Sequence, residues 1–298
     1  MTLLLQVLQS VAPVFALASI GFAWVKMGFE YRVEFVTRLA MTLSIPCLIF
    51  MALVKTEIDP AVLTDTALAT IAAYAAVGAL VFAFVALFRL DRRTYLAPLT
   101  FGNTGNLGLP LALFAFGAQG FDIAVVVFAI MAFMSFTIGV WLVSGAGSGW
   151  VAIKEPMVAA TVLGALFLWQ GWALPVWIGN TLDLIGQIGI PVMLLTLGVA
   201  ISRLKPQRLL SALLLSLAKL AICVGAAYGV GLVFQLPHLA LGVLVLQVAT
   251  PVAVTNYMLA EKYKANADEV AGLVVVSTLL SVIAIPLILG AFLADPTL

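Results

Sequence analysis

Charge is scarce in this sequence. Only 9% of its 298 residues are Asp, Glu, Lys or Arg, whereas soluble domains carry about 25%, so a water-soluble globular fold is excluded. Histidine occurs once, as His238, and cysteine twice, as Cys47 and Cys223. No Cys or His spacing of a metal site is available, and both cysteines fall in apolar stretches, where cysteine behaves as a small hydrophobe. No disulfide, metal or other cofactor is expected. The G-x-x-x-x-G-K-[ST] loop of ATP-driven machines and the H-E-x-x-H motif of zinc hydrolases are both missing. An ATP-driven pump is disfavoured, and so is an intramembrane enzyme, because no pair of aspartates sits at the centre of an apolar stretch. The net charge of +1 gives no sign of a nucleic-acid partner. No basic residue precedes Lys26, so the first apolar run lacks the positive flank of a secretory signal and is expected to remain as a span.

What the chain has is apolar length. Hydrophobic residues make up 64% of it and the mean hydropathy is +1.21. A membrane-spanning helix takes about 20 residues, which leaves room for about ten helices and little else. Spans are predicted at about 4–28, 33–54, 64–88, 94–117, 121–144, 155–171, 179–202, 208–235, 238–262 and 267–292. The fold class is therefore an all-α polytopic membrane protein. With the N-terminus outside, the cytoplasmic connections receive Lys26, Arg32, Arg38, Arg89, Arg92, Arg93, Lys154, Arg203, Lys205, Arg208, Lys262 and Lys264. The outer side receives Lys55 alone. This excess predicts an inner-membrane protein with both termini on the non-cytoplasmic side.

Five spans fall on each side of the connection from Ser144 to Lys154, and an odd number of spans per unit forces a second copy to run inverted. Pro13 and Gly21 of span 1 recur as Pro156 and Gly164 of span 6, and Ile45-Pro46 of span 2 recurs as Ile190-Pro191 of span 7. The reading is two inverted repeats, residues 1–146 and 152–298, as in known carriers.

At nearly the same offset, two spans are interrupted at mid-length. Span 4 reads Gly102-Asn103-Thr104-Gly105-Asn106-Leu107-Gly108-Leu109-Pro110, and span 9 carries Ala249-Thr250-Pro251 followed by Asn256-Tyr257. Glycine costs a helix about 1 kcal/mol and proline about 3 relative to alanine, so both spans are expected to unwind near the bilayer midplane. Freed backbone groups are tolerated there only when buried in protein or lining a wet cavity. Matched breaks in two halves point to a transport site. If the broken spans cross, the N-terminal ends of their halves suit an anion, and the freed carbonyls suit a cation. Asn103, Asn106, Thr250 and Asn256 add neutral hydrogen-bonding groups. The bland alternative is that Pro and Gly merely kink these helices while Asn and Thr bond across helices as packing glue.

The G-N-T-G-N-L-G-L-P stretch from Gly102 to Pro110, the T-P-V-A-V-T-N-Y-M-L-A run from Thr250 to Ala260, and the two I-P pairs resemble the auxin efflux carrier family. That family takes in bacterial malonate-carrier-like proteins and plant PIN-type auxin exporters. The resemblance implies ten helices in two inverted repeats, with spans 4 and 9 crossing at the substrate site. It implies a dimerising scaffold of spans 1, 2, 6 and 7, hence a homodimer, and a moving unit of spans 3–5 and 8–10. By motif position, Asn103, Pro110, Pro251 and Asn256 become crossover residues. Thr104, Gly105, Asn106, Thr250, Tyr257 and Lys219 complete the candidate substrate-binding set. The long hydrophilic central loop of the larger plant exporters is missing, so neither their phosphoregulation nor their auxin specificity carries over.

Lys219 lies about halfway along span 8, where a bare charge costs at least ~2.5 kcal/mol; its counterpart at the repeat offset is Tyr74. It is either the partner of an anionic substrate, a fixed charge standing in for a coupling cation, or an ammonium that snorkels to backbone carbonyls. Acidic residues are missing from span centres, which leaves no midplane proton carrier. The expected activity is secondary transport of a small organic anion, a mono- or dicarboxylate. The competing readings are a sodium-coupled symporter resembling the bile-acid transporters and, in another class, a channel or sensory membrane module. An outward-moving anion gains about 2.3 kcal/mol per 100 mV with a negative interior, so export needs no coupling ion, and direction stays open.

Overall fold

The computed structural model describes residues 3–144, 156–204 and 208–294. The boundary between the two proposed repeats, with Lys154 and Lys205, lies outside the described residues. The helices are α1 (Leu3–Lys26), α2 (Val33–Leu39), α3 (Ile45–Lys55), α4 (Pro60–Leu87), α5 (Arg92–Thr100), α6 (Leu109–Met134), α7 (Val140–Ser144), α8 (Pro156–Gln170), α9 (Val176–Gln187), α10 (Gly189–Arg203), α11 (Leu209–Val233), α12 (His238–Val248), α13 (Val254–Lys262) and α14 (Ala267–Ala294). Three π-helical turns, Ala40–Ser44, Thr104–Gly108 and Ser135–Gly139, join neighbouring helices. Among the described residues, seven helical segments are long and apolar enough to cross a membrane.

Prolines account for several of the joints. Pro46 and Pro191 have no N–H to give to the carbonyl four residues earlier. The helix widens to a π turn just before the first, and α9 gives way to α10 at Ile188 just before the second. The segment Thr104–Ser144 runs for 41 residues, about 60 Å if straight, which is twice the hydrocarbon thickness. It breaks at Gly117, whose φ of 69° and ψ of −162° are non-helical.

Helix packing is close where glycine permits it. A Cβ on Gly198 of α10 would lie 1.7 Å from the Ala18 carbonyl oxygen of α1, and one on Gly21 would lie 2.0 Å from the Leu195 oxygen. Small residues allowing backbones to approach are how helices pack in lipid, where apolar burial between them drives little. α3 packs against α8 and α9, while α11 packs against α4, α12 and α14. The fully buried Tyr74, Phe101, Leu107 and Leu109 mark the middle of the molecule, and leucines and phenylalanines such as Leu80, Phe82 and Leu287 cover its outside. Lys55 pairs with Asp183; elsewhere Glu269 accepts from Arg208 at 2.9 Å and from the Tyr95 hydroxyl at 2.9 Å.

Candidate functional site

The two interrupted segments meet backbone to backbone. The Asn103 N–H donates to the Pro251 carbonyl at 2.7 Å, and Gly102 and Val252 form an isolated antiparallel bridge. Gly102 is required by that approach: a Cβ there would fall 2.3 Å from Thr250 Oγ1 and 2.8 Å from its carbonyl oxygen. The irregular stretches are shorter than the sequence reading had them. Non-helical backbone is confined to residues 101–103 on the first strand, with π-helix resuming at Thr104, and to 249–253 on the second, with α-helix resuming at Val254. Pro110 does not lengthen the break, because the π turn just before it accommodates the N–H that proline lacks, as at Pro46.

The freed polar groups are satisfied unevenly. The Phe101 carbonyl, past the end of α5, accepts from Asn256 Nδ2 at 3.1 Å, one answer to the orphan carbonyls of a helix C-terminus. The Asn103 carbonyl accepts from the N–H groups of Leu107 and Gly108, both at 3.1 Å. Val252 N–H is received by Ser277 Oγ of α14 at 3.0 Å, and Thr250 Oγ1 donates to the Gln247 carbonyl at 2.7 Å. In contrast, Asn103 Nδ2, Thr104 Oγ1 and both amide atoms of Gln247 are buried without a hydrogen-bond partner among the described residues. Each such group costs about 1–3 kcal/mol if it stays unmatched. Gln247 lies against Gly108, where a Cβ would come within 2.1 Å of its Oε1.

A cavity of about 50 Å³ opens at the crossing, lined by Gly102, Asn103, Gly105 and Asn106 from one strand and by Ala253, Val254 and Thr255 from the other. The π turn that leads into α6 and the start of α13 thus both face it, and neither helix start has a side-chain cap. Each helix N-terminus carries roughly half a positive charge. A second cavity of about 40 Å³ shares Asn106, Val254 and Thr255 and adds Thr37 and Thr196. Tyr31 hydroxyl and Thr196 Oγ1 share a hydrogen bond of 2.7 Å nearby; burial pushes the Tyr31 phenol above its usual range, an effect this bond offsets in part.

Lys219 is brought close to the crossing but not into that cavity. It is 3% exposed, and with Ser216, Thr250, Pro251, Ser277 and Ser281 it lines a separate enclosure of about 20 Å³. Its Nζ donates to Cys223 Sγ at 3.5 Å. Tyr74, its counterpart at the repeat offset, stacks on Phe101 with ring centroids 6.0 Å apart. Of the residues named from sequence, Asn103, Gly105 and Asn106 line a crossover cavity, whereas Thr104, Pro110, Thr250, Pro251, Asn256 and Tyr257 line neither. Farther off, a cavity of about 560 Å³ is lined by Lys55, Asp122, Asp183, Leu113 and Ile190. Sequence reasoning missed Gln247, Thr255 and Ser277. Thr255 stood inside the quoted run, whereas nothing local to Ser277 could have linked it to a backbone group 25 residues away.

A helical membrane protein whose two interrupted helices bond to each other at mid-span has the build of a transporter. The chain belongs to the membrane transport protein family, that of the auxin efflux carriers, whose model matches residues 6–150 and 141–289. It is 26% identical over 297 residues, covering 94% of this chain and 96% of the other, to an uncharacterized transporter of Methanothermobacter thermautotrophicus (strain Delta H). Family and relative both point to transport rather than to an enzyme.

Proposed function

We propose that this chain is a secondary carrier of a small organic anion, a mono- or dicarboxylate, working by alternating access at the crossing. The observation that carries the reading is the Asn103–Pro251 backbone bond, which brings two uncapped helix starts and an unmatched Asn103 amide around one cavity. Those donors suit a carboxylate. Asn103, Gly105 and Asn106 contact it; Thr104 starts the turn between them; Thr250, Pro251 and Asn256 hold the second strand in place; Pro110 and Tyr257 shape the helices on either side.

In this reading the chain crosses the inner membrane ten times, as two inverted repeats, with both termini outside. The glycine contacts support the duplication. Gly21 of α1 abuts the Leu195 carbonyl of α10, and its sequence counterpart Gly164 of α8 abuts α3, with a Cβ 3.4 Å from the Phe50 carbonyl. Leu195 stands 145 residues after Phe50 and Gly164 stands 143 after Gly21, so one contact is nearly the image of the other. α1, α2, α3, α8, α9 and α10 form the scaffold that pairs with a second copy, and the other helices move against it.

The test is a panel of organic acids on the purified protein. A ligand at 100 times its Kd should raise stability by about 2.7 kcal/mol, and the same acid should be carried into proteoliposomes. Asn103→Ala should lose both responses. Among the described residues no carboxylate lines either crossover cavity, so flux should persist when potassium replaces sodium; strict dependence on sodium would favour the symporter. A panel without any stabilising or transported acid would sink the proposal.

A further inference from the structure

The enclosure around Lys219 has a chemistry of its own. A buried ammonium is tolerated when an opposite charge faces it, yet among the described residues no Asp or Glu lines this space. One N–H of Lys219 is directed to Cys223 Sγ, a weak acceptor, which leaves two donors. Ser216, one turn earlier on α11, is 2% exposed and its Oγ has no partner among the described residues. Thr250 and Ser281 give their protons to the carbonyls of Gln247 and Thr278, and Ser277 is engaged with Val252 N–H. The protons left over are two on Lys219 and the one on the Ser216 hydroxyl, beside the oxygen lone pairs of Thr250 and Ser281, and the charge that lines this space is positive.

Size then selects among anions. A water molecule needs about 10–15 Å³ of such space, and the enclosure offers about 20 Å³. That is too little for an organic acid and enough for one particle slightly larger than water. Water would fill it without neutralising the charge. We propose that Lys219 Nζ and Ser216 Oγ hold a monovalent halide, chloride under cellular conditions, against the Thr250–Pro251 strand of the crossing. This site is separate from the proposed carboxylate cavity, and its test uses neither substrate nor flux.

The measurement is the thermal unfolding midpoint of the purified protein in lipid nanodiscs, with sodium gluconate exchanged stepwise for sodium chloride or bromide at constant ionic strength. The midpoint should rise saturably with either halide in the wild type and stay flat in Lys219→Met, which keeps the side chain's bulk without its charge. Ser216→Ala should keep the rise but need about tenfold more halide for half-saturation, as expected for loss of a hydrogen bond to a charged group. Should Lys219→Met not fold, the Ser216→Ala shift alone decides. Identical midpoints in the three salts, a rise that survives undiminished in Lys219→Met, or an unmoved half-saturation in Ser216→Ala would each overturn the site.

Discussion

Asn103 and Asn256 stand on opposite strands of the crossing and differ in what they would leave behind. Asn256 Nδ2 holds the Phe101 carbonyl, and both groups are buried; Asn256→Ala strands that carbonyl and should cost about 1–3 kcal/mol of stability. Asn103 Nδ2 has no partner to strand, so Asn103→Ala should lose less stability than Asn256→Ala while losing transport. Denaturation and proteoliposome flux on the same two variants check the contrast. A large stability loss in Asn103→Ala would mark it as packing glue. Asn103 and Asn106 were legible in the sequence because amides are conspicuous in an apolar span. Gln247 was equally visible, but its position against Gly108 depends on which helix α12 meets. Tyr257 was included with Asn256 because they are adjacent, yet the helix has already resumed at Val254. One residue along a helix is a turn of about 100°, enough to carry Tyr257 away from the face that Asn256 presents.

At the scale of helices, glycine does two separable things here. Gly117 adopts a backbone conformation that is nearly restricted to glycine, with open space where a Cβ would go. Gly117→Ala should therefore cost about 1–3 kcal/mol through backbone strain alone. Gly198 has ordinary helical backbone but no space, since a Cβ would enter the Ala18 carbonyl. Gly198→Ala must push α1 from α10, an overpacking cost of about 1–3 kcal/mol or more, and shortening Leu195 or Phe22 cannot relieve it because the clash is with backbone. Unfolding midpoints of both variants check the two costs; equal indifference to both substitutions would contradict the packing. Proline and glycine made the breaks legible as breaks. Their extent was not legible, because a π turn resumes helical bonding at Thr104 and leaves only three non-helical residues at 101–103. The partner of each break was equally hidden, since backbone pairing between residues 103 and 251 is a tertiary event.

For the molecule as a whole, the side of the membrane each end faces follows from where the charges gather. Arg93 donates to the Tyr263 carbonyl at 2.8 Å, Arg203 to the Tyr31 carbonyl at 2.6 Å, and Glu269 joins Arg208 to Tyr95. These contacts tie Arg203 to the connection at residue 31, and Arg93 and Arg208 to the connection at residues 263–269, while Lys55 pairs with Asp183 elsewhere. The inventory of Lys and Arg was legible in the sequence; which connections they join needed the fold. Positively charged connections stay in the cytoplasm, so Arg92 and Lys205 should be inside and Glu57, in the connection beside Lys55, outside. With Cys47 and Cys223 replaced by alanine, a single cysteine at position 92 or 205 should escape a membrane-impermeant maleimide on intact cells and react after lysis. A cysteine at position 57, where Glu57 is exposed, should react in intact cells. Reaction at 92 or 205 with protection at 57 would invert the orientation, and with it the face from which the 560 Å³ cavity beside Lys55 and Asp183 is reached.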